Sequence, residues 1–296
     1  MSQMPKQFIS VSSQEEALAQ LDAHGEELQI LAGGTDLMVQ LQQSGQRAQR
    51  LLHIENIPGL RNITCNGVTG IGALCTHRQI AESTSLDNYR SLRQAAAQVG
   101  GWQTQMVGTI GGNVVNASPA ADTLPPLLIH NARVTLVSQS GGSRAVELGR
   151  FLLGRRQTDR RHDELVSGIT LARRPERGRD CYIKVGRRSA TEVAIVGLAA
   201  CVTPGRDGRT LEDVRLAICS VCPMPKRLYE VEHLMQGEEI SEALLEEAGE
   251  IMLKHIDPID DVRASKRYRS MVAPRVLKHA IACCIENVSG DLRPWN

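Results

Sequence analysis

The stretch GTIGGNVVNASPAADTLPP, residues 108–126, constrains this chain most. It is rich in glycine and small residues and carries few charges, whereas a solvated linker is normally more charged. Backbone stripped of bulk in this way is backbone that must approach something closely. A second bend of the same kind, Gly33-Gly34-Thr35-Asp36, follows the apolar run at 28–32 and opens an amphipathic segment. Each bend, this one and Thr109-Ile110-Gly111-Gly112-Asn113, sets paired glycines beside a threonine. That chemistry suits a diphosphate. Consecutive N–H groups aim at anionic oxygens, a helix N-terminus adds partial positive charge, and Thr and Asn add hydrogen bonds without a lysine. The plain alternative is a tight turn, with Thr35 or Asp36 capping a helix. Taken singly, either bend reads better as a turn.

Familiar nucleotide signatures are missing. No G-x-G-x-x-G opens a helix, and no G-x-x-x-x-G-K-[ST] occurs; Gly70-Ile71-Gly72 continues as Ala-Leu-Cys. H-E-x-x-H and G-x-S-x-G are also lacking, so metalloprotease and α/β-hydrolase chemistry has no foothold. The net charge of +1 gives no support for nucleic-acid or membrane-surface binding, and 3% aromatic residues leave little for base stacking. No apolar run approaches the ~18 residues that span a bilayer. The start, MSQMPKQFIS, shows no secretory pattern, so a cytoplasmic protein with reduced thiols is expected. Cys219 and Cys222 form a C-x-x-C without the second pair of a structural zinc site, and read as inert core thiols.

At 296 residues the chain has the length of about two domains. Apolar spacing predicts a helix over 14–23, strands near 28–32, 51–54 and 68–74, a helix after Thr76, another over 91–99, and strands over 132–138, 144–148 and 165–172. The Arg-rich segment 150–164 reads as an exposed loop, whose arginines Arg150, Arg155, Arg156, Arg160 and Arg161 are solvated or draw an anionic acceptor or a partner. After a polar hinge at 173–180 the character changes. CYIKVGRR, EVAIVGLAACV and VRLAICSVC predict three antiparallel strands, and from Pro225 the pattern is helical. The fold class is α+β.

LAGGTDLMVQL (31–41), IGALCTH (71–77), VGTIGGNVVNASPAAD (107–122), YIKVGRR with EVAIV (182–196), CPMPKR (222–227) and RASKRYR (263–269) follow one another in order. Together they resemble the FAD-binding medium subunit of the molybdenum hydroxylases, the family of xanthine, CO and nicotinate dehydrogenase flavoprotein subunits. The resemblance covers nearly the whole chain. It implies a PCMH-type FAD-binding domain over 1–175, with subdomains of about 1–57 and 58–175. It implies a CO dehydrogenase flavoprotein-like domain over 176–296, with a three-stranded antiparallel sheet and a helical bundle. It implies FAD as cofactor and no metal. Leu31, Ala32, Gly33, Gly34, Thr35, Asp36, Leu37 and Met38, with Thr109, Ile110, Gly111, Gly112 and Asn113, are then expected to wrap the diphosphate and ribityl chain. Asp122 is expected to hydrogen-bond the cofactor, or to cap the helix before LPPLLIH, or both. Lys184 is expected near the pyrimidine end of the flavin, as the catalytic cation; Gly100 and Val166 contribute backbone contacts.

Two departures stand out. Where the family reads PQIRN, this chain has Trp102-Gln103-Thr104-Gln105-Met106; Trp102 packs in the core or against the adenine, the former being favoured. Glu192 replaces a frequent Asp. The function implied is electron transfer from an iron–sulfur small subunit, fed by a molybdopterin large subunit, through FAD to NAD or another acceptor. The alternatives are a non-catalytic assembly subunit and a stand-alone NAD(P)H-dependent flavin reductase.

Overall fold

The computed structural model describes residues 7–44, 50–188 and 191–285. Its contacts form two compact units. The first comprises Met1–Ile80, Trp102–Ala117 and Asn131–Ala172; the second comprises Ala81–Gly101, Ser118–His130 and Arg173–Asn296.

The first unit contains two sheets. In the smaller, strand Arg50–His53 lies between Gln7–Ser10 and Leu28–Leu31, all parallel. The crossover helix Gln14–His24 is capped by Ser13, whose hydroxyl accepts from Glu16 N, while the Glu16 carboxylate accepts from Ser12 N. Such a reciprocal cap satisfies amide donors that a helix start leaves over. Ala17 and Leu21 carry the helix into a core with Leu28, Leu52, Ile54 and Leu165. The larger sheet is antiparallel, in the order Ile63–Asn66, Val68–Gly72, Leu165–Leu171, Arg133–Ser138, Gly142–Glu147. A bulge interrupts its central strand between Val166 and Gly168. The segment 150–164, expected as an exposed loop, instead contains the end of a short helix, Leu148–Phe151, and the strand pair Leu152–Gly154 and Gln157–Thr158. Phe151 and Leu152 are its buried anchors, and its charged residues outnumber them so far that the periodicity is hidden.

The second unit is built on an antiparallel sheet of four strands, not the three expected. Arg179–Val185, Val196–Pro204 and Leu211–Cys219 are the long ones; the fourth, Lys226–Arg227, pairs only with Ile218 and Ala217. Two residues after a Pro-Met-Pro run are too few to display an alternation. Helices Arg90–Ala96, Leu124–Ile129, Tyr229–Met235, Glu242–His255 and Lys266–Ile285 belong to the same unit. Within the last of these, Arg269 is 1% exposed, donating to the carbonyls of Ile195 and Ser220 and pairing with Asp261 at 2.8 Å. Cys219 and Cys222 are buried thiols, and burial pushes Cys219 up to about 12. No helix among the described residues is long and apolar enough to cross a membrane.

Candidate functional site

Strand Leu28–Leu31 runs into the first glycine bend, which opens the helix Leu37–Ser44. Thr109 caps the helix Ile110–Asn116, its hydroxyl accepting from Gly112 N at 3.1 Å. The two bends share a hollow of about 280 Å³ within the first unit. Ala32, Gly33, Gly34, Thr35, Asp36 and Leu37 line it from one side, and Thr109, Gly111, Gly112 and Asn113 from the other, with Val166 at the bulge. Leu31, Met38 and Ile110 do not line it: Leu31 ends the strand, the Met38 side chain is 47% exposed, and Ile110 is fully buried. A volume of this size takes part of a dinucleotide rather than the whole.

The glycines serve different ends. A Cβ on Gly33 would overlap the carbonyl group of Val107, and one on Gly111 would lie 2.7 Å from both Cβ and O of Ala73. These two glycines bring protein backbone against protein backbone. Gly112 is different, because its added Cβ would meet only the Thr109 hydroxyl, at 3.0 Å. The amides also divide. Those of Ile110, Gly111, Gly112 and Asn113 already donate to Cys75 O, Ala73 O, Thr109 Oγ1 and Thr109 O. The second bend therefore shapes the hollow but has no spare amide in this run. In the first bend the amides of Gly33, Gly34, Thr35, Asp36 and Leu37 have no acceptor among the described residues. Gly34, at φ 71°, turns the chain so that this run of donors is left over.

Asp36 and His77 line the same hollow. Burial raises the Asp36 carboxyl above its usual range, against the pull of Arg156 and a hydrogen bond from Asn116. Asn116 also accepts from Gln40 Nε2 at 2.9 Å. His77 is 2% exposed, its Nδ1 has no hydrogen-bond partner among the described residues, and burial lowers it to about 4. It is therefore neutral at pH 7. A histidine titrating near 6.5 unfolded and near 4 folded binds its proton more readily in the unfolded chain. Stability it contributes is whole above pH 6.5 and falls away towards pH 4, by about 3 kcal/mol in all. The melting temperature of the cofactor-free protein should drop over that window, and His77→Gln should flatten the drop. An unchanged profile in the variant would show that other groups set it.

Gly100, Asp122 and Lys184 belong to the second unit. There Lys184 Nζ pairs with Asp122 Oδ2 at 2.8 Å and donates to Gln98 O at 2.7 Å, while the Tyr182 hydroxyl donates to Asp122 Oδ1 at 2.7 Å. All are buried or nearly so, and burial raises the Asp122 carboxyl although Lys184 and Tyr182 oppose the shift. Asp122 is not the helix cap; Thr123 holds that position, without a side-chain capping bond. Gly100 adopts φ 51° just after the segment that supplies Gln98.

Among the lining residues that sequence reasoning did not assign to the site, His77, Arg156 and Arg160 bear most on its chemistry. His77 ends the quoted IGALCTH motif, which was a usable signal; Arg156 and Arg160 lay in the segment read as a loop. Trp102 was expected in the core but is 56% exposed, with the Arg78 guanidinium 4.2 Å above its ring. A stacked cation covers the ring face that packing would otherwise have to hide.

Comparison with known proteins places the chain in a family. A family model described as "FAD binding domain in molybdopterin dehydrogenase" matches residues 4–173, and a "CO dehydrogenase flavoprotein C-terminal domain" matches 181–284. The chain is 29% identical to the xanthine dehydrogenase FAD-binding subunit of Escherichia coli O157:H7 over 92% of its length and 93% of that protein's. It is 31% identical to the glyceraldehyde dehydrogenase medium chain of Sulfolobus acidocaldarius, over 90% and 93%. Among solved structures, carbon monoxide dehydrogenase from Hydrogenophaga pseudoflava superposes with a TM-score of 0.91 at 24% identity, covering 98% of this chain and 100% of that one. At that identity the likeness speaks for the fold.

Proposed function

Because the chain belongs to the family of FAD-binding domains in molybdopterin dehydrogenases, we propose that it carries electrons through FAD within a molybdenum-containing hydroxylase complex. FAD is the cofactor of the family. The observation that carries the reading is the hollow shared by the two bends, with five successive amides in its wall lacking an acceptor among the described residues. Half-buried donors left over by the fold are costly unless something accepts from them, and phosphate oxygens do so well. The neutral His77, with its orphan Nδ1, adds a further polar group at the same place. Bound FAD supplies a carrier that takes electrons singly and gives them up as a pair.

The chain's own part is to bind, orient and balance charge. Residues 33–37 hold the diphosphate, Thr109 fixes the wall opposite, and Val166 offers backbone at the bulge. Lys184 spends two of its three N–H donors on Asp122 and Gln98. The third serves the pyrimidine end of the flavin, where negative charge gathers on reduction. Asp122 and Tyr182 fix the ammonium for this role. The partners in this reading are an iron–sulfur small subunit and a molybdopterin large subunit in the cytoplasm, with NAD or another acceptor taking the electrons from the flavin.

Purified protein should show the absorbance bands of oxidised flavin, and stripped protein should regain them on adding FAD. A folded, colourless protein that refuses FAD would overturn the reading. Two further chains carrying molybdopterin and iron–sulfur clusters should co-purify; turnover with NAD(P)H in their absence would instead favour a self-sufficient flavin reductase.

A further inference from the structure

The turn between strands Leu152–Gly154 and Gln157–Thr158 holds Arg155 and Arg156. Arg156 lies in the left-handed region at φ 57°, and its amide donates to the carbonyl of Ala117 at 3.0 Å. Ala117, itself at φ 43°, closes the helix that Thr109 opens. Two side-chain-bearing residues thus meet in a backbone state that costs about 1–3 kcal/mol each. Such strain is kept where position matters. It ties this turn to the far end of the helix that forms one wall of the hollow.

Most basic groups of this region are already spent. Arg144 pairs with Asp159 and Glu164, and Arg150 with Glu147. Arg160 lines the hollow and donates to the carbonyls of Arg161 and Glu164, without a carboxylate at ion-pair distance among the described residues. Arg156 lines the hollow too, and its guanidinium has no hydrogen-bond or ion-pair partner among those residues. It attracts Asp36 without closing to a salt bridge. Arg156 and Arg160 face a single carboxyl, Asp36, across the wall, and His77 is neutral there. The wall is thus net positive, with an uncommitted fork of donors on one side.

We infer that Arg156 grips the FAD diphosphate, its guanidinium supplying the charge that the amides of 33–37 lack, with Arg160 as a fixed positive charge beside it. The inference rests on the FAD-binding reading above. Main-chain amides give direction but no net charge. A planar guanidinium adds a full charge and two parallel donors matched to phosphate oxygens.

The test is FAD titration of the cofactor-stripped protein, followed by flavin fluorescence. Arg156→Gln should raise the Kd by about tenfold to hundredfold and make it less sensitive to salt, the range expected for losing a charge-assisted hydrogen bond. Arg156→Lys should recover part of the loss. Arg155→Gln, one residue away and outside the hollow, should bind as wild type. ADP, a probe with the diphosphate but no flavin, should compete less well by the same factor against Arg156→Gln. Unchanged FAD binding by that variant, or ADP competition indifferent to it, would overturn the inference and leave FAD binding standing. Wild-type protein that binds no FAD would overturn the underlying reading instead. Should Arg156→Gln fail to fold, phenylglyoxal labelling of the wild-type protein read by peptide mass replaces it. ADP should then shield Arg156, and equal labelling with and without ADP would refute the contact.

Discussion

Gly33→Ala is expected to cost FAD affinity at least about hundredfold and to lower the melting temperature by roughly 6–12 °C, the equivalent of about 3 kcal/mol. The added methyl would overlap the carbonyl group of Val107 and lie 3.1 Å from Gly108 N, all backbone that no rotamer change can move. Relief requires the two bends to part, which opens the hollow and disperses the amides of 33–37. Gly112→Ala provides the contrast. Its methyl meets only a hydroxyl, and a glycine within a helix is worth about 1 kcal/mol less than alanine. That variant should melt at or above the wild-type temperature yet bind FAD more weakly, because the Gly112 side of the helix lines the hollow. Titration with FAD and a melting curve without it separate the two effects. A Gly33→Ala protein with wild-type values in both would show that the bends do not need their close approach.

Asp122→Ala should be the most damaging change in the second unit, at about 3–5 kcal/mol, because it leaves the Lys184 ammonium buried with one carbonyl for company. Lys184→Met should cost less. The carboxyl left behind is already raised by burial and can take up a proton, whereas the stranded ammonium has no equally easy escape. This asymmetry carries a pH signature. In Lys184→Met the folded Asp122 pKa lies still further above its unfolded value. Its contribution is then greatest below the unfolded pKa, near 4, and is lost as pH rises through the folded one. The variant should melt progressively lower, relative to wild type, from pH 4 upward. In the assembled complex it should also slow flavin reduction. A Lys184→Met protein with wild-type reduction kinetics would confine the pair to a structural role; equal losses in both variants at every pH would refute the proton-uptake argument.

The bends were legible because two of them, each setting paired glycines beside a threonine, occur in one chain together with the other segments that carry the family resemblance. Their division of labour was not. Gly33 meets Val107, and Gly111 meets Ala73, through contacts between segments distant in sequence. The acceptors that consume the amides of 110–113 come from Cys75 and Ala73, which no local pattern reveals. Arg156 was hidden for a related reason. A run of arginines ordinarily means solvent, and what separates Arg156 from Arg155 is its left-handed backbone, the bond from its own amide to Ala117 and its place in the hollow. In the second unit the three long strands announced themselves by apolar character. Lys226–Arg227 could not, being polar and two residues long.

The chain order of the second unit bears on how the protein is made. Residues 81–101 and 118–130 leave the ribosome well before the sheet of their own unit, Arg179–Cys219, has been synthesised. The helix Leu124–Ile129, buried along its whole length once folded, must wait as naked apolar chain until those strands arrive. A nascent polypeptide halted near residue 172 should therefore be a sticky chaperone client, and limited proteolysis of stalled ribosome complexes should cut first in these two waiting segments.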